Sequence, residues 1–215
     1  MEKARIAVFV SGGGTNLEAL LNAQERGEIP HGEIALVVSS AAGAYALTRA
    51  ERHGVPAVTV ERKGRPPQDF EAALLRCLLE SKIDLIILAG FLTILSEEFV
   101  KLWPERILNV HPSLIPSFCG KGYYGLKVHE EALARGVKVT GATVHFVNEI
   151  PDGGKILLQK AVEILPGDTP EVLQRRVMEQ AEWILLPRAA EMVCEQLTRE
   201  QTRQGTTENG GGENA

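Results

Sequence analysis

Asn109 and His111 stand two positions apart in the run ILNVHPSLIP at 107–116, which enters on apolar residues and is stopped by Pro112. In an extended strand side chains alternate between faces, so the two point the same way, roughly 7 Å apart at about 3.3 Å per residue. An amide can hydrogen-bond a developing oxyanion, and an imidazole can exchange a proton near neutral pH. A pair at that separation can straddle one small reacting group. The competing reading is a strand end at which Asn caps a turn and His is a satisfied core residue.

A second constellation is SGGGTN at 11–16, between an apolar run and a helical pattern with Leu17, Leu20 and Leu21 on one face. Its glycines allow positive φ and close approach of a ligand to the backbone. The helix that follows offers unpaired N–H groups and a positive dipole end to an anion. No Gly-Lys-Ser/Thr follows, so the loop is not of the Walker kind. Leu17 stands where a dinucleotide fingerprint needs its third glycine, and the next strand ends in Ser39 and Ser40 rather than a ribose-binding acid. A monophosphate fits better than a dinucleotide, and a plain tight turn is the alternative.

These residues need a scaffold, and the rest of the chain reads as one. Apolar runs at 6–10, 34–38 and 84–89 predict strands buried on both faces, the habit of parallel sheets. A short strand at 55–60 and the strand at 107–111 join them. Helical patterns at 45–53, 69–81 and from Ser96 to Trp103 alternate with these strands, and Ser96 reads as an N-cap. The rhythm predicts a mostly parallel, doubly wound, Rossmann-like α/β sheet. Ligands of such sheets bind beyond the carboxyl ends of the strands, where 11–16, 90–95 and 109–111 all fall.

The second half changes character. Residues 117–125 (SFCGKGYYG) predict a mobile loop, and 126–134 a helix. Stretches 137–147 and 155–164 predict strands of an antiparallel C-terminal part, joined through NEIPDGG at 148–154, a turn of special backbone geometry. A long helix is expected over 170–193, kinked near Pro187. From about Arg199 the polar, Gly-rich sequence is expected to be disordered, giving a domain over 1–198 and a tail over 199–215.

Composition sets the class. The 215 residues fit one α/β domain, 44% hydrophobic and 24% charged, as in ordinary globular proteins. A net charge of −5 argues against a nucleic-acid-coating surface but leaves room for a small anion in a local pocket. Cys77, Cys119 and Cys194 show no CxxC pair and no Cys/His ligand spacing, so neither structural zinc nor a disulfide framework is expected. The apolar run at 6–10 is too short for a signal peptide, and nothing approaches the ~20 apolar residues of a membrane span. A cytoplasmic protein is expected, working on small molecules, with no nucleic-acid or membrane partner and as a monomer or homodimer.

Taken together, SGGGTN (11–16), LAGFLTIL (88–95), ILNVHPSLIPSF (107–118), GATVHFV (141–147), DGG (152–154) and GDTPEVLQRRV (167–177) resemble the folate-dependent formyltransferase family. Within it they resemble the branch that formylates glycinamide ribonucleotide in purine biosynthesis. Six motifs in family order are far more specific than any one alone. The resemblance implies 10-formyltetrahydrofolate as co-substrate, no metal, and direct attack of the glycyl amine on the formyl carbon in a ternary complex. The lack of a Ser nucleophile elbow agrees with a route that has no covalent enzyme intermediate.

By the same resemblance, Asn109 donates to the formyl oxygen, and His111 acts as general acid or as a stabilising imidazolium. Asp152, otherwise an ordinary turn residue, falls beside His111, where a carboxylate favours the charged ring. The ribonucleotide phosphate rests on Gly14, Thr15 and Asn16. The pterin lies against the backbone of Leu92, Thr93, Ile94 and Leu95 and the turn at 148–152, beside Asn109. Thr143 is a candidate to hold a site water, and His145 a candidate support. Glu182 either receives the substrate's ammonium or is an exposed helix charge. Arg65 is a candidate partner for the folate tail, in a stretch that does not align firmly. Thr93 departs from the Arg that many relatives carry. A tRNA-formylating relative is expected to carry a further basic domain, and a deformylase an N-terminal regulatory one; the sequence offers neither.

Overall fold

A computed structural model describes residues 2–209, with side chains through 203. Seven strands form one sheet in the order β3-β2-β1-β4-β5-β6-β7. They are β1 (Ala4–Val10), β2 (Gly32–Ser39), β3 (Ala57–Thr59), β4 (Leu85–Leu88), β5 (Ile107–His111), β6 (Val139–Phe146) and β7 (Ile156–Glu163). The pairings from β3 through to β5 are parallel, and β5–β6 and β6–β7 are antiparallel, as the sequence predicts. The order reverses between β1 and β4, which opens a crevice at their carboxyl ends.

The central strands are apolar throughout because both faces are covered. Along β1, Ala4, Ile6, Val8 and Val10 enter one core layer and Ala7 and Phe9 the other. The first layer packs α1 (Thr15–Glu25), α2 (Tyr45–Arg52) and the C-terminal helices, through residues such as Leu17, Ala46 and Leu186. The second packs α3 (Pro67–Glu80) and α4 (Glu97–Lys101) through Phe70, Leu74 and Phe99. At about 1.5–3 kcal/mol for each large side chain buried, these two layers supply the main driving force for folding. Pro67 opens α3 at a position where its missing N–H costs nothing, so α3 starts two residues before the expected bound. Ser96 caps α4, its hydroxyl accepting from the Phe99 N–H at 3.1 Å.

Two expectations need correction. The C-terminal helix is broken, but not at Pro187. It consists of α6 (Pro170–Val177), a π-helical turn over Met178–Glu182, and α7 (Trp183–Asn209), which contains Pro187. A proline ring needs room where a carbonyl four residues back would sit, and the widened turn lies directly upstream of it. The expected tail at 199–215 is also helical through Asn209, and its last six residues lie outside the described residues. Straight-chain Arg, Glu and Gln favour helix, and the Arg199–Glu195 and Glu200–Gln196 pairs at i, i+4 extend it. No helix among the described residues is long and apolar enough to cross a membrane.

Candidate active site

β5 aims Asn109 and His111 to one side of the sheet, because Leu108 and Val110, which alternate with them, belong to the opposite core layer. Antiparallel pairing sets Asn109 opposite His145 and His111 opposite Thr143 on β6, so these four side chains share a face. The β6–β7 connection then folds Asp152 back over them, with φ of 56° at that residue. Asp tolerates this left-handed conformation better than most residues.

The polar groups interlock. His111 Nδ1 lies 3.5 Å from Asp152 Oδ2, and His145 Nε2 lies 3.6 Å from Oδ1. Asn109 Nδ2 donates to His145 Nε2 at 3.1 Å and to Asp152 Oδ1 at 3.4 Å. The His145 Nδ1–H donates to the Phe146 carbonyl at 2.9 Å, which fixes that ring's orientation and leaves Nε2 to accept from the amide. Burial opposes the Asp152 charge. The nearby His145 ring, the His111 charge and the Gly120 N–H at 2.8 Å outweigh it and hold the carboxyl below its ordinary range.

The segment expected to be mobile, 117–125, is tied to this cluster at two points. The Phe118 carbonyl accepts from His111 Nε2 at 2.8 Å, and the Gly120 N–H donates to Asp152. Cys119 lies between them, but burial and then the Asp152 charge push its thiol up, so it is not poised as a thiolate nucleophile. These backbone contacts had no signature in the sequence. Neither did His129 of α5 (Leu126–Arg135), whose ring is fully buried. Burial, with the nearby His111 charge, pushes it down to about 4, so it is neutral beside the cluster.

Thr143, a candidate to hold a site water, has its hydroxyl taken up by protein partners. Its hydroxyl donates to the Ser113 carbonyl at 2.7 Å and accepts from the Ile115 N–H at 3.1 Å and Gln159 Nε2 at 3.0 Å. One donor and two acceptor sites are thereby filled, and the residue braces the turn that follows His111.

Asn109, His111 and Asp152 line a cavity of about 560 Å³ whose walls also include Asn16, Met178 and Glu182. Leu92 and Ile94 stand on its rim, 66% and 70% exposed. Thr93 and Leu95 are not among the lining residues, and Leu95 packs instead into the second core layer. Arg65 lies in the loop between β3 and α3 and is not among the lining residues either. Glu182 is buried, not an exposed helix charge. Burial pushes its carboxyl up to about 7, against the pull of the Asn16 Nδ2 hydrogen bond at 2.7 Å.

The glycine loop reaches α1 through Gly14 in the left-handed conformation, without a side-chain cap. The Asn16 side chain is thus committed to Glu182, and Thr15 Oγ1 faces Met178 Sδ at 3.7 Å. Thr15 lines a separate groove of about 160 Å³ beside the main cavity. Ser11 Oγ accepts from the Leu92 N–H at 3.0 Å, linking this loop to the rim segment. Among the described residues no group of three His, Cys, Asp or Glu side chains is placed to hold a metal.

Comparison with known proteins gives this arrangement its relatives. The sequence profile of the Formyl transferase family matches residues 4–189. The chain is 46% identical over 193 residues to the trifunctional purine biosynthetic protein adenosine-3 of Gallus gallus, covering 89% of this chain and 18% of that protein's length. It is 41% identical over 177 residues to the phosphoribosylglycinamide formyltransferase of Haemophilus influenzae, covering 82% of this chain and 81% of that one. Among solved structures, glycinamide ribonucleotide transformylase 1 from Symbiobacterium toebii superposes with a TM-score of 0.83 at 42% identity, covering 90% of this chain and 88% of that one.

Proposed function

The chain belongs to the formyl transferase family, and from that premise we propose that it transfers a formyl group from 10-formyltetrahydrofolate to the glycyl amine of 5'-phosphoribosylglycinamide. The observation that carries this reading is the convergence of Asn109 and His111 on the Asp152 carboxylate, within 3.5 Å of it, on the wall of one cavity. The amine attacks the formyl carbon, and the formyl oxygen gains negative charge. The Asn109 N–H on the longer contact to Asp152 is the donor offered to that oxygen. With both nitrogens protonated, the His111 ring faces an oxygen on each side, Asp152 at Nδ1 and Phe118 at Nε2. The Phe118 carbonyl occupies the acceptor position that a substrate oxygen or departing folate nitrogen takes in turn.

Glu182, whose carboxyl sits near 7, is the charge partner for the substrate's ammonium. The phosphate rests on the N–H groups of Gly14, Thr15 and Asn16 at the start of α1. The folate's pterin enters over the rim at Leu92 and Ile94. The reading extends to a cytoplasmic enzyme with small-molecule partners only, as a monomer or homodimer. Incubating the protein with both substrates and following folate release and formylated ribonucleotide by mass spectrometry tests it. Equimolar formation of the two products is expected; folate release into water without a formylated amine overturns it.

A further inference from the structure

Arg49 lines no part of the main cavity, yet it sits where it can set the direction of a backbone N–H. The loop 11–14 leaves β1 and turns into α1, and α2 packs against its outer side. The Ala46 N–H donates to the Gly12 carbonyl at 3.1 Å, and Arg49 Nε donates to the Gly13 carbonyl at 2.9 Å. α2 approaches so closely that a Cβ on Gly14 would lie 2.7 Å from the Cβ of Ala46. In a trans peptide the C=O and the following N–H point in opposite directions. With both carbonyls turned toward α2, the N–H groups of Gly13 and Gly14 are turned away from it. Among the described residues those two groups, and the N–H groups of Thr15 and Asn16 after them, have no backbone acceptor. Successive unpaired N–H groups at a helix start form an anion-binding concavity.

Arg49 is itself held firmly. Nη1 lies 3.0 Å from Glu18 Oε2 in the first turn of α1, and the guanidinium stacks 5.0 Å over the Tyr45 ring. The planar fork serves the loop carbonyl with one nitrogen and α1 with another, in a fixed geometry that a flexible ammonium does not hold. Glu18 balances its charge, so the contribution lies in geometry rather than in net attraction.

We propose that Arg49 is a positioning residue for the substrate phosphate: by fixing the Gly13 carbonyl it aims the Gly14 N–H at that phosphate. The proposal rests on the phosphate reading of the 11–16 loop, and the test separates the two. Dissociation constants are measured by calorimetry for glycinamide ribonucleotide and for its dephosphorylated ribonucleoside, on the wild-type protein, Arg49→Met and Arg49→Lys. Arg49→Met is expected to weaken the ribonucleotide about tenfold, the worth of one charge-assisted hydrogen bond, and to leave the ribonucleoside unchanged. Arg49→Lys is expected to resemble Arg49→Met, and KM for the ribonucleotide to rise with kcat within about twofold. Wild-type affinity in Arg49→Lys would show that charge alone matters, and equal weakening of both ligands would show a scaffold role; either overturns the proposal. If the wild-type protein binds both ligands alike, the phosphate reading itself fails. If it discriminates and Arg49→Met discriminates as well, only the assignment to Arg49 falls.

Discussion

The Asp152 carboxylate meets His111 at one oxygen and His145 and Asn109 at the other, so a single charge holds three side chains in register. Asp152→Asn keeps the shape and removes that charge. It is expected to lower kcat by about 10²–10⁴, the usual worth of a positioned proton-transfer group, with ribonucleotide affinity by calorimetry near wild type. Wild-type turnover would remove Asp152 from the mechanism. Its carboxyl is held below the ordinary range, so its stabilising contribution is complete above that range and is lost as pH falls through the folded value. Glu182 has the opposite sign. Its carboxyl is raised from 4.5 to about 7, so the folded state holds the proton longer than the unfolded chain. Stability then falls as pH rises from about 4.5 to 7 and is flat beyond, a cost of about 3 kcal/mol at 1.36 kcal/mol per unit. Glu182→Gln should flatten that limb of the melting temperature against pH. An unchanged slope would mean that the carboxyl titrates as if exposed. Asn109 and His111 stood out in the sequence by type and spacing, whereas Asp152 read as an ordinary turn residue and entered only through the family resemblance. The filled hydroxyl of Thr143 could not be read there, since its three partners come from segments distant in the chain.

Between residue and fold stand the elements that deliver these groups. The β6–β7 turn depends on Gly154, where a Cβ would fall 1.7 Å from the Phe146 carbonyl oxygen. Gly154→Ala must therefore open the hairpin mouth and carry Asp152 away from His111. A drop of at least about 2 kcal/mol in stability is expected from such a backbone clash, with kcat reduced as in Asp152→Asn. Thermal melting and steady-state kinetics together check this, and an alanine variant with wild-type kcat would show that the turn does not set the carboxylate. Alternation of apolar strands and amphipathic helices made the sheet legible, since β1 and β4 had to be buried on both faces. The π-helical turn over Met178–Glu182 was not legible. Its residues are ordinary helix formers, and the proline five positions beyond offered a more obvious reason for a break. Yet this turn brings Met178 to Thr15 and Glu182 to Asn16, joining the C-terminal helices to the start of α1. Insertions of this kind are frequent at functional sites.

At the scale of the molecule, one question is where the working domain ends. The sequence put the boundary at 198 from the onset of polar residues, whereas the helix itself continues to Asn209. Burial marks the boundary that helicity does not. Val193, Cys194, Leu197 and Thr198 are buried against the body, and residues 199–203 are all exposed. Beyond 198, Gln201 Nε2 reaches back to Asp84 Oδ1 at 3.3 Å, a long contact worth about 1 kcal/mol at most. We therefore place the domain boundary at Thr198. A chain truncated after Thr198 is expected to keep wild-type kcat and KM, because α7 meets the cavity only through the turn that precedes it. Its melting temperature should fall by no more than about 2–4 °C, the shift that 1 kcal/mol produces in a domain of this size. A chain truncated after Ala190 loses three buried apolar side chains at about 1.5–3 kcal/mol each, which approaches the whole stability of an ordinary domain. It is expected not to accumulate as folded protein. Circular dichroism melts of the two truncations decide the matter: a large loss in the longer one would move the boundary beyond 198 and make the polar end of α7 part of the fold.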